Sequence, residues 1–170
     1  MHKIKLIVLD VDGTLTDGKI YYDSNGNEMK AFNVKDGMAI GQAIKTGIHI
    51  AIITGRQSTI VNRRAEELGI KHVYQGINDK NKCLKEILSK LDLENKDTMY
   101  IGDDINDLDV INKVEFSACP QDAAEEVKER VTFISKYNGG EGAVREVIER
   151  VLKKQEKWAE IINNYSWIGQ

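Results

Sequence analysis

Two carboxylates spaced two residues apart, Asp10 and Asp12, stand where an apolar run ends, in Ile4-Lys5-Leu6-Ile7-Val8-Leu9-Asp10-Val11-Asp12-Gly13-Thr14. In an extended backbone, residues i and i+2 point to the same side. Like charges held that close are unfavourable unless a cation or a shared proton lies between them. The pair therefore points to a bound metal and a reactive carboxylate. Three further groups follow other apolar runs: Thr54 in Ile52-Ile53-Thr54-Gly55-Arg56, Lys80 after the Gln75-Gly76 turn, and Gly102-Asp103-Asp104-Ile105-Asn106-Asp107. Each alone has an ordinary explanation. An acidic residue can cap a helix, a Thr-Gly can be a plain turn, and a lysine usually faces solvent. Recurrence at successive strand ends argues for one site.

Phosphoryl transfer needs this inventory. A carboxylate attacks phosphorus and is itself phosphorylated for a moment. Its charge opposes that of the phosphate, so a divalent cation must neutralise both. Mg²⁺ takes hard oxygen ligands, which Asp10 and Asp103 supply. An ammonium and a hydroxyl stabilise the equatorial oxygens. A second carboxylate donates a proton to the leaving alcohol and later activates water.

The elements that carry these groups alternate. Residues 4–9, 48–53, 72–74, 98–101, 116–118 and 131–134 read as strands, and 37–45, 58–68, 80–91, 106–112 and 121–129 as helices between them. Strands separated by helices of this length predict right-handed βαβ units around a mostly parallel sheet, and such sheets bind ligands at their carboxyl ends. One segment breaks the rhythm. Residues 19–24 and 27–32 flank Asn25-Gly26, the preferred dipeptide of a two-residue hairpin turn. That register sets Asp23 opposite Glu28, a like-charge pair. A hairpin over about residues 18–33 would project above the acidic strand end as a flap. A last helix is expected from 142 to 154. Residues 158–167, with Trp158, Ile161, Ile162, Tyr165 and Trp167, are expected to pack on the body or on a neighbouring subunit.

Composition sets the bounds. The 170 residues, 41% hydrophobic and 30% charged, suit one domain with a sizeable core. A net charge of −3 and no basic stripe argue against a nucleic-acid partner. No apolar run is long enough to span a membrane, and the start lacks a signal-peptide pattern, so a cytoplasmic location is expected. Cys83 and Cys119 lack metal-ligand spacing and are expected to be packing residues in a reducing compartment.

Asp10-Val11-Asp12-Gly13-Thr14, Thr54, Lys80 and Gly102-Asp103-Asp104-x-x-Asp107 resemble the four motifs of the haloacid dehalogenase superfamily. The resemblance implies an α/β, Rossmann-like three-layer fold without a separate cap domain, over residues 1–154, with a tail at 155–170. It implies Asp10 as nucleophile, Asp12 as general acid and base, Thr54 as the phosphate-binding hydroxyl and Lys80 as the stabilising cation. The metal would be Mg²⁺, held by Asp10, Asp103 and the main-chain carbonyl of Asp12, with Asp104 and Asp107 in support. Lys82 competes for the lysine role, and family spacing favours Lys80. Further segments, among them Thr54-Gly55-Arg56 and Gly139-Gly140-x-Gly142-Ala143-Val144-Arg145-Glu146, resemble a capless branch of tetramers. Members of that branch remove the phosphate of an eight-carbon sugar acid during lipopolysaccharide precursor synthesis. The substrate would then meet Thr54, Gly55, Arg56 and Lys80, with Arg56 on the sugar carboxylate. Arg145 would serve in anion binding or an intersubunit salt bridge, and Arg64 would face solvent or a subunit contact. A nine-carbon, sialic-acid-type 9-phosphate is the alternative substrate. A phosphate-storing receiver domain is the alternative of another class, disfavoured by the spacing of the acidic pair.

Overall fold

The computed structural model describes residues 3–166. In chain order the elements are β1 (Leu6–Leu9), β2 (Tyr21–Tyr22), β3 (Glu28–Met29), α1 (Val34–Lys45), β4 (His49–Ile53), α2 (Thr59–Leu68), β5 (His72–Tyr74) and α3 (Lys80–Leu91). They continue as β6 (Thr98–Ile101), α4 (Leu108–Ile111), β7 (Phe116–Cys119), α5 (Glu125–Lys128), β8 (Phe133–Ile134), α6 (Ala143–Lys154) and α7 (Trp158–Ser166). Six strands form one parallel sheet in the order β5-β4-β1-β6-β7-β8. The chain runs outward from β1 through β4 to β5, then crosses back to β6 on the other side. The switch point of the sheet therefore lies between the ends of β1 and β6, where an open α/β sheet leaves a crevice.

Side chains alternate across the strands and make two cores. Ile7 and Leu9 of β1, with Ile50 and Ile52 of β4, face α1, α2 and α6. Leu6 and Val8, with Ala51, Ile53 and Tyr100, face α3, α4 and α5. Cys83 and Cys119 are unpaired and buried in this second core. Burial pushes their thiols up to about 11 and about 12, so both stay protonated packing groups.

Helix starts follow local chemistry. Asn33 caps α1, Ser58 caps α2 and Asp79 caps α3, each accepting from a backbone N–H of the first turn. α6 is preceded by Gly142, which has no side chain to cap with. Asp36 of α1 fills that role, its Oδ1 accepting from the Arg145 N–H at 2.7 Å.

The expected helix over 121–129 is reduced to α5. Its first part is diverted, because the Gln121 N–H donates to the Tyr137 carbonyl and the Ala124 N–H to the Asp103 carbonyl. The expected hairpin register is also corrected. β2 pairs with β3 through Tyr21 opposite Met29 and Tyr22 opposite Glu28. Asp23 stands opposite Asn27, and Ser24-Asn25-Gly26 make a three-residue turn with Gly26 at φ +81°. The Asp23 carboxylate accepts from the N–H groups of Asn25 and Asn27 and from the Asn27 amide. Those bonds stabilise the longer turn and separate Asp23 from Glu28.

α7 packs back on the body of its own chain. Ile161 joins the first core, Trp158 packs against it, and the Gln42 amide donates to the Tyr165 hydroxyl at 2.8 Å. Trp167, expected in the same segment, lies outside the described residues. Among the described residues, no helix is long and apolar enough to cross a membrane.

Candidate active site

Asp10 continues β1 by one residue, its N–H donating to the Ile101 carbonyl at 2.9 Å. Its side chain therefore emerges at the switch point. Lys80 is the first residue of α3, and its buried ammonium donates to Asp10 Oδ1 at 2.9 Å and to Asp107 Oδ1 at 2.7 Å. Lys82 is exposed, which leaves Lys80 as the lysine of the site. Asp107 also takes the Tyr100 hydroxyl at 2.5 Å on Oδ1, and the N–H groups of Asp103 and Asp104 at 2.9 and 3.3 Å on Oδ2. With both oxygens so engaged, Asp107 anchors the lysine and the acidic loop. Asp104 is exposed and caps the following turn by accepting from the Ile105 N–H, so it shapes the loop.

Asp103 faces Asp10 across the crevice. Thr14 donates its hydroxyl to Asp103 Oδ1 at 2.9 Å. Gly13, at φ +91°, lies against the same carboxylate, and any Cβ at that position would collide with it. Asp10, Asp103 and Asp107 each offer a carboxylate oxygen within 4.8 Å of the others. That convergence of carboxylate oxygens suits a hard cation. Burial, reinforced by the charge of Asp107, pushes Asp10 up to about 6 despite Lys80. Burial and the nearby Asp10 push Asp103 up to about 8. A cation held between two such carboxylates would favour their ionised forms. Lys80 itself stays protonated: burial works against its charge, but Asp10 and Asp107 outweigh it.

Thr54 follows β4 and is buried, its N–H donating to the Tyr74 carbonyl at 3.0 Å. The parallel register pairs Leu9 with Ile52, which brings the Thr54-Gly55-Arg56 turn level with the loop after Asp10. Asp12, one turn above Asp10, is held by groups from two other elements. The buried Lys30 ammonium, just beyond β3, bonds Asp12 Oδ1, and Arg56 Nε lies 3.8 Å from Asp12 Oδ2. Glu28 of β3 completes this second cluster, 2.9 Å from Arg56 Nη2 and 3.5 Å from Lys30 Nζ. Lys30, Glu28, Thr14 and Tyr100 were given no role by sequence reasoning. The position of Thr14 within the acidic motif, and of Lys30 at the head of a segment (30–37) that also resembles the family, offered a signal for those two alone.

Arg145 is not brought to this site. Its guanidinium pairs with Glu149 at 3.1 Å and lies over the Trp158 ring. Arg64 is partly covered on α2, beside Phe32 and Glu67.

The chain belongs to the haloacid dehalogenase-like hydrolase family, whose model matches residues 7–78 and 72–148. It is 44% identical over 154 residues to the Escherichia coli K12 3-deoxy-D-manno-octulosonate 8-phosphate phosphatase KdsC, covering 91% of this chain and 82% of that one. Among solved structures it resembles the Moraxella catarrhalis 3-deoxy-D-manno-octulosonate 8-phosphate phosphatase in complex with magnesium, phosphate and KDO, with a TM-score of 0.94 and 43% identity. That match covers 96% of this chain and 95% of the other. The cobalt-bound Haemophilus influenzae deoxy-D-mannose-octulosonate 8-phosphate phosphatase is similar at a TM-score of 0.89 and 36% identity, over 92% of both chains.

Proposed function

We propose that this protein is a Mg²⁺-dependent phosphomonoesterase that hydrolyses 3-deoxy-D-manno-octulosonate 8-phosphate to the free sugar acid and phosphate. The observation that carries the reading is the meeting of Asp10, Asp103 and Lys80 at the switch point, in a chain 44% identical to phosphatases of that substrate. Bound between Asp10, Asp103 and the Asp12 carbonyl, Mg²⁺ would supply the positive charge that lets an anionic nucleophile approach an anionic phosphate.

The chain's own groups do the rest. An Asp10 oxygen attacks phosphorus, and the bond from phosphorus to the sugar oxygen breaks. Asp12 gives its proton to that oxygen, so the sugar leaves as a neutral alcohol. Asp12 then takes a proton from water as the water oxygen attacks phosphorus, which releases phosphate and restores Asp10. Thr54, Gly55 and Lys80 hold the phosphate oxygens as charge shifts among them. Arg56, beside Asp12 and partly exposed, meets the sugar carboxylate. Arg145 has no part in this chemistry.

The two-stranded flap exposes Ile20, Tyr22 and Met29, and Val34 at the start of α1 is exposed beside it. This supports a homotetramer in which flaps are buried between subunits, with the tail over residues 155–165 closing the body. Two free, buried thiols suit a cytoplasmic protein.

Phosphate release from a panel of sugar phosphates, with Mg²⁺ and with chelator, tests the function. Turnover should be highest on the eight-carbon acid, depend on Mg²⁺ and fall to background in Asp10→Asn. Equal or higher kcat/KM on a nine-carbon 9-phosphate would remove the substrate assignment. One phosphate retained per chain without turnover would favour a phosphate-storing domain instead.

A further inference from the structure

A cleft of about 430 Å³ lies between α6, β8 and the start of α1, and none of the residues that line it belongs to the catalytic cluster. That is the volume of a small-molecule site. Its walls carry six cations against three carboxylates, whereas the chain as a whole carries −3. Arg145, put forward for anion binding by the sequence, lines this cleft. Two of the carboxylates are engaged within it. Glu149 holds Arg145 Nε at 3.1 Å and Lys153 Nζ at 2.6 Å, and Glu146 accepts from the Ser135 hydroxyl and the Lys136 N–H. Lys35, Arg150 and Lys154 are exposed and have no carboxylate partner among the described residues.

The helix dipole accounts for Lys153 and Lys154 in the last turn of α6. It does not account for Arg150 before that turn, nor for Lys35 and Lys136, which other elements bring to the same cleft. Two aromatic rings stand among these charges. Phe133 has the Arg150 guanidinium 4.6 Å from its centroid, and Tyr137, 42% exposed, has Lys136 Nζ at 5.0 Å. Lys136 lies beside Glu146 in the first turn of α6, while Lys154 ends the helix. The rise between those two turns is about 12 Å, more than one phosphate group can bridge. The shape and charge suit an extended anion with several charges and a planar group.

We propose that this cleft binds a nucleotide, with its phosphates against Arg150 and Lys154 and its base on the exposed ring of Tyr137. The two cations donate charge-assisted hydrogen bonds to phosphate oxygens, and the ring offers a stacking platform. A sugar phosphate has no planar group for Tyr137, which separates this ligand from the substrate of the catalytic site. The flap contacts proposed for the tetramer use neither β8 nor α6, so the two readings are compatible.

Calorimetric titration of ATP, with Mg²⁺ in excess, tests the site in wild type, Tyr137→Ala, Asp10→Asn and a double variant carrying Arg150→Glu and Lys154→Glu. ATP should bind Asp10→Asn as it binds wild type, and binding should weaken as salt is raised. The double reversal should weaken it roughly tenfold, and Tyr137→Ala roughly fivefold. On wild type, adenosine and tripolyphosphate should each bind more weakly than ATP. Tripolyphosphate binding as tightly as ATP, an affinity unchanged by the double reversal, or loss of binding in Asp10→Asn would each overturn the proposal. So would the absence of binding to wild type at millimolar ATP. The functional reading rests on other residues and would survive any of these results.

Discussion

At the scale of single residues, the site is organised around carboxylates kept from ionising freely. Asp10 and Asp103 are raised to about 6 and about 8, chiefly by burial and then by neighbouring carboxylates. In an unfolded chain such groups lose their protons near pH 4. As pH rises past that point the unfolded chain ionises without penalty, whereas the metal-free fold must keep its protons or crowd its charges. Its stability therefore falls between about pH 4 and pH 8. Mg²⁺ removes the penalty, so the rise in Tm on adding Mg²⁺ should be larger at pH 8 than at pH 6. Calorimetry at pH 7 in buffers of different ionisation enthalpy should show proton release on Mg²⁺ binding. A Tm shift independent of pH would mean that these carboxylates are already ionised without metal. The acidic pair, Thr54, Lys80 and the Asp103 loop were legible because each stands in the connection that follows an apolar run. Lys30 and Glu28 were not, because an ion pair across the flap leaves no periodic trace in the chain.

At the scale of elements, alternating strands and helices were readable from apolar spacing, and the boundaries that failed did so through side-chain competition. Asp23 draws the N–H groups of Asn25 and Asn27 to itself, and the turn lengthens by one residue. No spacing rule contains that choice. The capping of α6 by Asp36 was hidden for a related reason, since it joins residues 109 apart in sequence. Asp36 is buried, its Oδ2 has no partner, and burial pushes it up to about 6. A carboxyl raised in the folded state stabilises the fold while protonated and loses that advantage as pH rises through the folded value. Asp36→Asn retains an acceptor for the Arg145 N–H and removes the charge. Unfolding in urea should show the variant gaining on wild type between pH 4 and pH 6, by about 3 kcal/mol across the range. The metal-site carboxylates are common to both chains, so their titration cancels in the difference. A difference that does not change with pH would mean that Asp36 is ionised throughout.

At the scale of the whole molecule, the flap is the part the chain does not finish by itself. Its two short strands pair only with each other, and Ile20 and Met29 are half exposed. Lysines at both positions, Ile20→Lys and Met29→Lys, should shift the mass measured by light scattering after size-exclusion chromatography from that of the proposed tetramer toward smaller species. A wild-type chain that is monomeric at micromolar concentration would remove the assembly. The tail was only partly legible. Its aromatic content announced packing, but nothing in the spacing indicated that Gln42 would donate to Tyr165.

α6 supplies Val144, Val147, Ile148, Val151 and Leu152 to the core that covers Ile7 and Leu9. The first strand of the sheet is thus sealed by a helix that lies far along the chain. While translation proceeds, the hydrophobic underside of that strand stays bare until the later segment clears the exit tunnel, so this core closes only once α6 has emerged.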